Sequence, residues 1–265
     1  MLVLLSPAKD MNTQPLSRQV AHSQPQLLKD AGELVAATCQ LGRADLKRLM
    51  GINDKLADLN RRRFEELATP FAPLNAKPAA FAFAGDVYRG LEAASLDDDD
   101  LAWAQDHVRI LSGLYGILRP LDLIRPYRLE MGLPLKTSRG DSLYEFWGSK
   151  LTRSLNAALR SSRSDTIVNL ASKEYFAAVQ PQELKARVVA PQFREIRDGK
   201  ARSYMFFMKK ARGLMARFIV RNRIEAAEAL KRFDAEGYRF DPRLSEGDAW
   251  IFARPAAAKA KQTAG

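Results

Sequence analysis

One cysteine and two histidines in 265 residues leave the chain almost without nitrogen and sulfur metal ligands. His22, Cys39 and His107 stand at no metal-like spacing, so no metal site and no cofactor is expected. A single cysteine allows no intrachain disulfide and suits a reducing cytoplasm. Cys39 falls in a predicted helix, Ala31–Leu41, where its expected role is buried filler rather than redox sensor. No apolar run approaches transmembrane length. The apolar start, Leu2–Leu5, is too short for a secretory leader and lacks a basic n-region. Gly-x-Ser-x-Gly, the P-loop and the zinc-protease motif are also missing. These gaps favour a binding protein over an enzyme. Acid–base chemistry without histidine stays open, with Lys9, Asp86, Asp122 or Glu130 supplying the group.

What the chain has is positive charge. Forty-two Lys/Arg against 31 Asp/Glu give +11 and a pI near 9.8. Such an excess favours a polyanion: DNA, RNA or an anionic surface. Residues 194–232 alone hold twelve Lys/Arg against four Asp/Glu. A hydrophobic share of 46% permits a sizeable core.

Arg109–Gly132 organises the chain. Val108–Leu111 reads as a buried strand, broken by Ser112-Gly113. Arg119-Pro120 and Arg125-Pro126 keep the following residues out of a long helix. Yet Leu121, Leu123, Ile124, Tyr127, Leu129 and Met131 make this loop apolar, so it must line a site or plug a core. Further strands are predicted at Leu2–Leu5, Ala79–Ala84, Thr166–Leu170, Arg187–Ile196, Arg202–Phe207 and Ala249–Ala253. Asp198-Gly199 signals a hairpin. Helices are predicted at Leu101–His107 and Asp141–Arg160. The mixture implies an α+β fold, a single mixed domain of short strands and helices over 1–254. The tail, 255–265, is expected to be disordered.

Two segments suit phosphate. In residues 44–67, helical spacing breaks at Gly51-Ile52-Asn53 and resumes, giving two helices about a tight turn. The turn resembles a helix-hairpin-helix, with Asn53 in place of a glycine able to take positive φ. Gly51, Ile52 and Asn53 would present backbone N–H groups to a phosphate, with Lys55, Arg61 and Arg62 adding charge. In residues 209–223, Ala211, Leu214, Met215, Phe218 and Ile219 form a core-facing stripe. Lys210, Arg217 and Arg221 share another face, flanked by Lys209 and Arg212, as a phosphate backbone would require. Separately, Lys9, Arg119, Arg128, Asn169 and Lys173 are the candidate lining of a basic cleft.

SPAK at 6–9, SGLYGILRPLDLIRPYRLEMG at 112–132, NLASKEYF at 169–176, KKARGLMARFIVRNR at 209–223 and FDAEGYRFDPRLSEGD at 233–248 closely resemble the bacterial YaaA family of peroxide-stress proteins. The resemblance covers residues 1–254. It implies an unusual, family-specific topology and a cytoplasmic DNA-binding protein linked to peroxide resistance and DNA repair. The partner would be duplex DNA or repair intermediates. Charge alone does not separate these from RNA, and no membrane partner is expected. The alternative is an enzyme acting on a nucleotide or small molecule in the basic cleft.

Overall fold

The computed structural model describes residues 1–67 and 71–256. The fold is mixed α and β, built on an eight-stranded sheet. Leu2–Leu5 (β1) lies at its centre with all its side chains fully buried. An uninterrupted apolar strand requires cover on both faces, and β1 has it. Val108–Ser112 (β2) pairs with β1 in parallel on one side, and Gly116–Leu118 (β3) returns antiparallel to β2. Thr166–Asn169 (β4) pairs in parallel on the other side of β1, followed outward by the long strand Arg187–Arg197 (β5). Lys200–Arg202 (β6) folds back on β5. Arg239–Phe240 (β7) and Ala249–Pro255 (β8) complete the sheet, β8 parallel to β5 and β7 antiparallel to β8.

This order places a topological switch at β1. The chain leaves β1 for β2 on one side and returns to β4 on the other. In open parallel sheets the crevice outside the strand ends at such a switch is where ligands bind.

Leu28–Cys39 (α1), Arg43–Met50 (α2) and Asp54–Glu65 (α3) pack together before the short helix Asp86–Leu91 (α4). Asp98–His107 (α5) runs into β2, with Asp97 capping it by accepting from the Asp100 N–H at 2.8 Å. The aspartate run is therefore a helix start. Leu143–Trp147 (α6) and Lys150–Ser161 (α7) precede β4, Lys173–Ala177 (α8) follows it, and Met205–Arg221 (α9) lies between β6 and β7.

Several expectations give way. Ala79–Ala84 is not one strand: 79–82 form a helical turn, and only Phe83–Ala84 pairs, with Asp10–Met11. The Ala79 and Ala80 N–H groups instead donate to the Asp122 and Pro120 carbonyls, both at 2.9 Å. Asp141–Arg160 breaks into α6 and α7 at Gly148, whose φ is 48°. The predicted strand Arg202–Phe207 ends at its first residue, because α9 already begins at Met205. The hairpin signal is correct: Asp198 and Gly199 take φ of 49° and 69°, the two positive values a tight hairpin turn needs. Pro255 closes β8, so the expected tail starts one residue too early. The rest of that tail, from residue 257, lies outside the described residues. Cys39, expected to be buried, is exposed at the end of α1.

Helix α9 is more enclosed than its sequence implies. Besides the expected Ala211, Met215 and Ile219, it buries Gly213, Ala216 and Val220. Gly213 and Gly90 let α9 and α4 cross with their backbones in contact: a Cβ on Gly213 would stand 2.8 Å from the Leu91 nitrogen, with the Val87 carbonyl oxygen nearer still.

Candidate functional site

The C-terminal ends of β1, β2 and β4 gather a polar cluster. Beyond β1, Ser6 Oγ accepts from the Ser172 N–H at 2.8 Å, tying the two strand ends together across the switch. Tyr88 Oη donates to the Ser6 carbonyl at 3.0 Å. Beyond β2, Ser112 Oγ and Tyr127 Oη lie 2.6 Å apart. Burial first, then the neighbouring Tyr175, push the Tyr88 and Tyr127 hydroxyls well above the ordinary phenol range, so both remain protonated. Tyr88, Tyr115 and Tyr127 are buried, which fits them to brace the strand ends rather than to stack a base.

Residues 128–132 cross directly over the end of β2. A Cβ on Gly113 would meet the carbonyl carbons of Leu129 and Glu130 at 3.0 and 3.2 Å, so only glycine admits this crossing. Trp147 Nε1 donates to the Gly113 carbonyl at 3.0 Å and pins the turn from behind. The crossing delivers Glu130 to the edge. Its Oε1 takes Arg128 Nε at 3.0 Å and Lys9 Nζ at 3.2 Å. Its Oε2 is buried and has no hydrogen-bond partner. Such an oxygen costs about 1–3 kcal/mol unless something donates to it. Lys9 itself is 65% exposed.

Of the candidate cleft residues, the fold brings Lys9, Arg128, Asn169 and Lys173 to this edge. Asn169 ends β4 and spends its Oδ1 on the Ala171 N–H at 3.0 Å. Lys173 opens α8 and is exposed. Ser172 caps that helix, as its position in the sequence suggests, accepting from the Tyr175 N–H. Arg119 does not join them. It follows β3, whose antiparallel course carries it back toward the start of β2, where it is bonded to Asp122. Asp122 is fully engaged there by the Arg119 N–H, the Arg119 guanidinium and Ser23. Asp86 likewise pairs with Arg89. Of the three carboxylates among the acid–base candidates, Glu130 is, among the described residues, the one with a buried oxygen that lacks a hydrogen-bond partner.

A cavity of about 790 Å³ lies elsewhere, between residues 11–22, 73–78 and 123–126. Its lysine, Lys77, is occupied by the Asn12 and Gln14 carbonyls at 3.3 and 2.9 Å. Its lining is mainly apolar and contains none of the sheet-edge cluster.

The helix pair α2–α3 turns tightly, but in its own way. Gly51 takes the left-handed conformation, φ 60°. Asn53 does not: at φ −78° it is an N-cap whose Oδ1 accepts from the Leu56 N–H at 2.9 Å. Its side chain therefore occupies part of the helix start that a phosphate would use, and Asp54 adds a negative charge in the same turn. Ion pairs Arg43–Asp58, Lys47–Asp54, Arg48–Asp45 and Arg61–Glu65 neutralise much of the surface. Ile52 is buried. Lys55 and Arg62 are exposed and, among the described residues, carry no ion pair.

The α9 cations are also largely committed. Lys210 pairs with Glu236. Arg217 caps α4 by donating to the Leu91 and Glu92 carbonyls, both at 3.1 Å. Arg221 reaches Asp100 at 3.5 Å. Burial depresses the Arg212 guanidinium below its usual range. Of the five, Lys209 is the one that is both exposed and free of ion pairs among the described residues.

A surface that sequence reasoning misread lies beside it. Lys200, Arg202 and Lys209 are free of ion pairs among the described residues, and they bracket the start of α9. There Met205 is 69% and Phe206 56% exposed. Tyr204 lies under the Arg197 guanidinium at 4.2 Å. The cations and aromatics of 200–209 are plain in the sequence, but the predicted strand Arg202–Phe207 hid the helix start at Met205 that groups them. Because β5 runs parallel to β4 and continues seven residues past the partner of Asn169, this hairpin projects about 20 Å beyond the same edge that holds Glu130.

Cys39 carries an exposed thiol at the end of α1. Partial burial of the thiol, then Glu65, raise its pKa and so lower the thiolate fraction that reacts. Cys39→Ser is expected to leave peroxide survival of cells carrying the variant unchanged. Loss of resistance equal to a deletion would refute this.

The family profile described as peroxide stress protein YaaA matches residues 1–244. A UPF0246 protein of Aliivibrio fischeri (strain MJ11) is 48% identical over 254 residues, covering 96% of this chain and 98% of its own length. Those of Roseobacter denitrificans and Ruegeria pomeroyi are similar at 52% and 51% identity, covering 96% of this chain and 98% and 99% of their own.

Proposed function

From the premise that this chain belongs to the YaaA family of peroxide stress proteins, we propose that it acts on DNA, binding it mainly through phosphates in support of protection or repair. The observation that carries this reading is the patch over 200–209, with three unpaired cations around an exposed phenylalanine. Unpaired cations release counterions when they meet phosphates, and they contribute more than cations that must share a carboxylate. Phe206 offers a face on which an unpaired base can stack. The +11 net charge supports long-range attraction to the same partner. Lys55 and Arg62 make the α2–α3 turn a second, weaker contact, in place of the helix-hairpin-helix contact the sequence suggests.

The patch favours single-stranded or branched DNA over intact duplex, because stacking needs an unpaired base. The test is affinity for single-stranded, duplex and four-way-junction DNA across a salt series. A Lys200→Glu/Arg202→Glu/Lys209→Glu variant is expected to flatten the slope of log K against log salt by about 2, three lost contacts at roughly 0.7 each. Phe206→Ala is expected to weaken single-strand binding by about tenfold or more, the loss of 1–3 kcal/mol of stacking. No binding at low salt, or a triple variant with the parent slope, would overturn the proposal.

A further inference from the structure

The sheet-edge cluster is a different arrangement from the hairpin patch. It pairs a buried carboxylate oxygen that lacks a donor with cations that keep unused capacity. Arg128 commits only its Nε to Glu130, which leaves the outer nitrogens of its guanidinium. Lys9 is mostly exposed, and Lys173 stands exposed at the same edge. The cluster also sits at the switch point of the parallel strands, the place where open parallel sheets bind their ligands. A ligand that satisfies it carries a hydrogen-bond donor at one end and an anion at the other.

We propose that this edge binds a nucleotide. Glu130 Oε2 accepts from an N–H of the base edge, and Lys9 with Lys173 holds the phosphate. A base amino or imide N–H is the neutral donor such an oxygen accepts without a further counter-ion. The choice of a nucleotide over another donor-bearing anion rests on the proposed DNA reading, and on the hairpin patch projecting past the same edge. The cleft named from sequence thereby loses Arg119 and gains Glu130 and the Ser6–Ser172 brace.

The experiment is calorimetric titration of the full chain with dAMP, dGMP, dCMP and dTMP, and with inorganic phosphate alone. At least one nucleotide is expected to bind saturably, and more tightly than phosphate. Glu130→Gln removes the charge but keeps the shape. It is expected to weaken the preferred nucleotide about tenfold, one charge-assisted hydrogen bond, while phosphate alone binds at least as tightly as to the parent, because Lys9 loses a competing carboxylate. Lys9→Met, at an exposed position that folding does not depend on, is expected to weaken both. Displacement of bound nucleotide by a short single strand identifies a nucleotide within DNA as the natural ligand. Failure to displace identifies a free nucleotide. No saturable binding of any nucleotide at millimolar concentration would overturn the inference, as would both variants binding like the parent. Either result leaves the salt series on DNA to decide the proposed function by itself.

Discussion

Gly213→Ala will lower the melting temperature by about 6 °C, the shift expected for a loss of about 3 kcal/mol in a chain of this size. The added methyl meets backbone, not a side chain that can swing away: the Leu91 nitrogen and the Val87 carbonyl carbon both lie 2.8 Å from it. Relief requires α4 and α9 to separate along their crossing. That separation also withdraws Arg217 from the Leu91 and Glu92 carbonyls it caps. Ordinary overpacking costs about 1–3 kcal/mol, and a clash between two helix backbones belongs at the top of that range or above it. Gly90→Ala presses on the same crossing from the other side, with the Leu214 nitrogen 2.7 Å from the new carbon. The double variant should therefore cost less than the sum of the two, since one opening of the crossing relieves both clashes. Thermal unfolding of the three variants checks this. A Gly213→Ala protein melting with the parent would show that the crossing is looser than described.

That crossing explains one limit of reading the chain from its sequence. The apolar stripe of α9 was plain: Ala211, Leu214, Met215, Phe218 and Ile219 keep helical spacing, the first, third and fifth are buried and Leu214 and Phe218 are half-buried. What spacing could not show is that Gly213 opens a second buried face. Once α4 and residues 98–100 pack there, the cations on the remaining surface find partners: Glu236, the end of α4, and Asp100. The charge excess of 194–232 is real, but which cations stay free is decided by elements distant in sequence.

Local chemistry was more legible than pairing. Asp198-Gly199 forces a tight turn whatever surrounds it, and Ser172 caps a helix from its own position. Asn53 shows the limit of that approach. Its tolerance of positive φ suggested a hairpin role, but its amide also makes a good N-cap, and the cap prevailed because Gly51 already supplies the left-handed residue. The sheet edge was half visible. The apolar loop after Gly113 has to line a site or plug a core, and Lys9, Arg119, Arg128, Asn169 and Lys173 are the cleft residues that the sequence suggests. That Lys9 meets Glu130 while Arg119 is carried away depends on strand order, which no local pattern carries.

Gly113→Ala tests that convergence, and its effect divides from that of Gly213→Ala. The new carbon would lie 3.0 Å from the Leu129 carbonyl carbon, with the carbonyl oxygen closer, and 3.2 Å from that of Glu130. Neither side gives way freely. Ser112 is held by Tyr127 and by the Tyr115 N–H at 2.9 Å, while Trp147 holds the Gly113 carbonyl. The crossing segment is the softer of the two, so residues 128–130 must lift off the strand end. Glu130 then leaves Lys9, and the orphaned oxygen no longer faces the switch point. A loss of about 1–3 kcal/mol in stability is expected from the overpacking. The larger effect is on binding. Well below their melting temperatures, Gly213→Ala protein should still bind the preferred nucleotide, whereas Gly113→Ala protein should bind it at least about tenfold more weakly, one charge-assisted contact having been misplaced. Titration at low temperature, beside a melting curve for each variant, separates a displaced site from a merely less stable fold. Parent-like binding by Gly113→Ala would mean that Glu130 is not what holds the ligand.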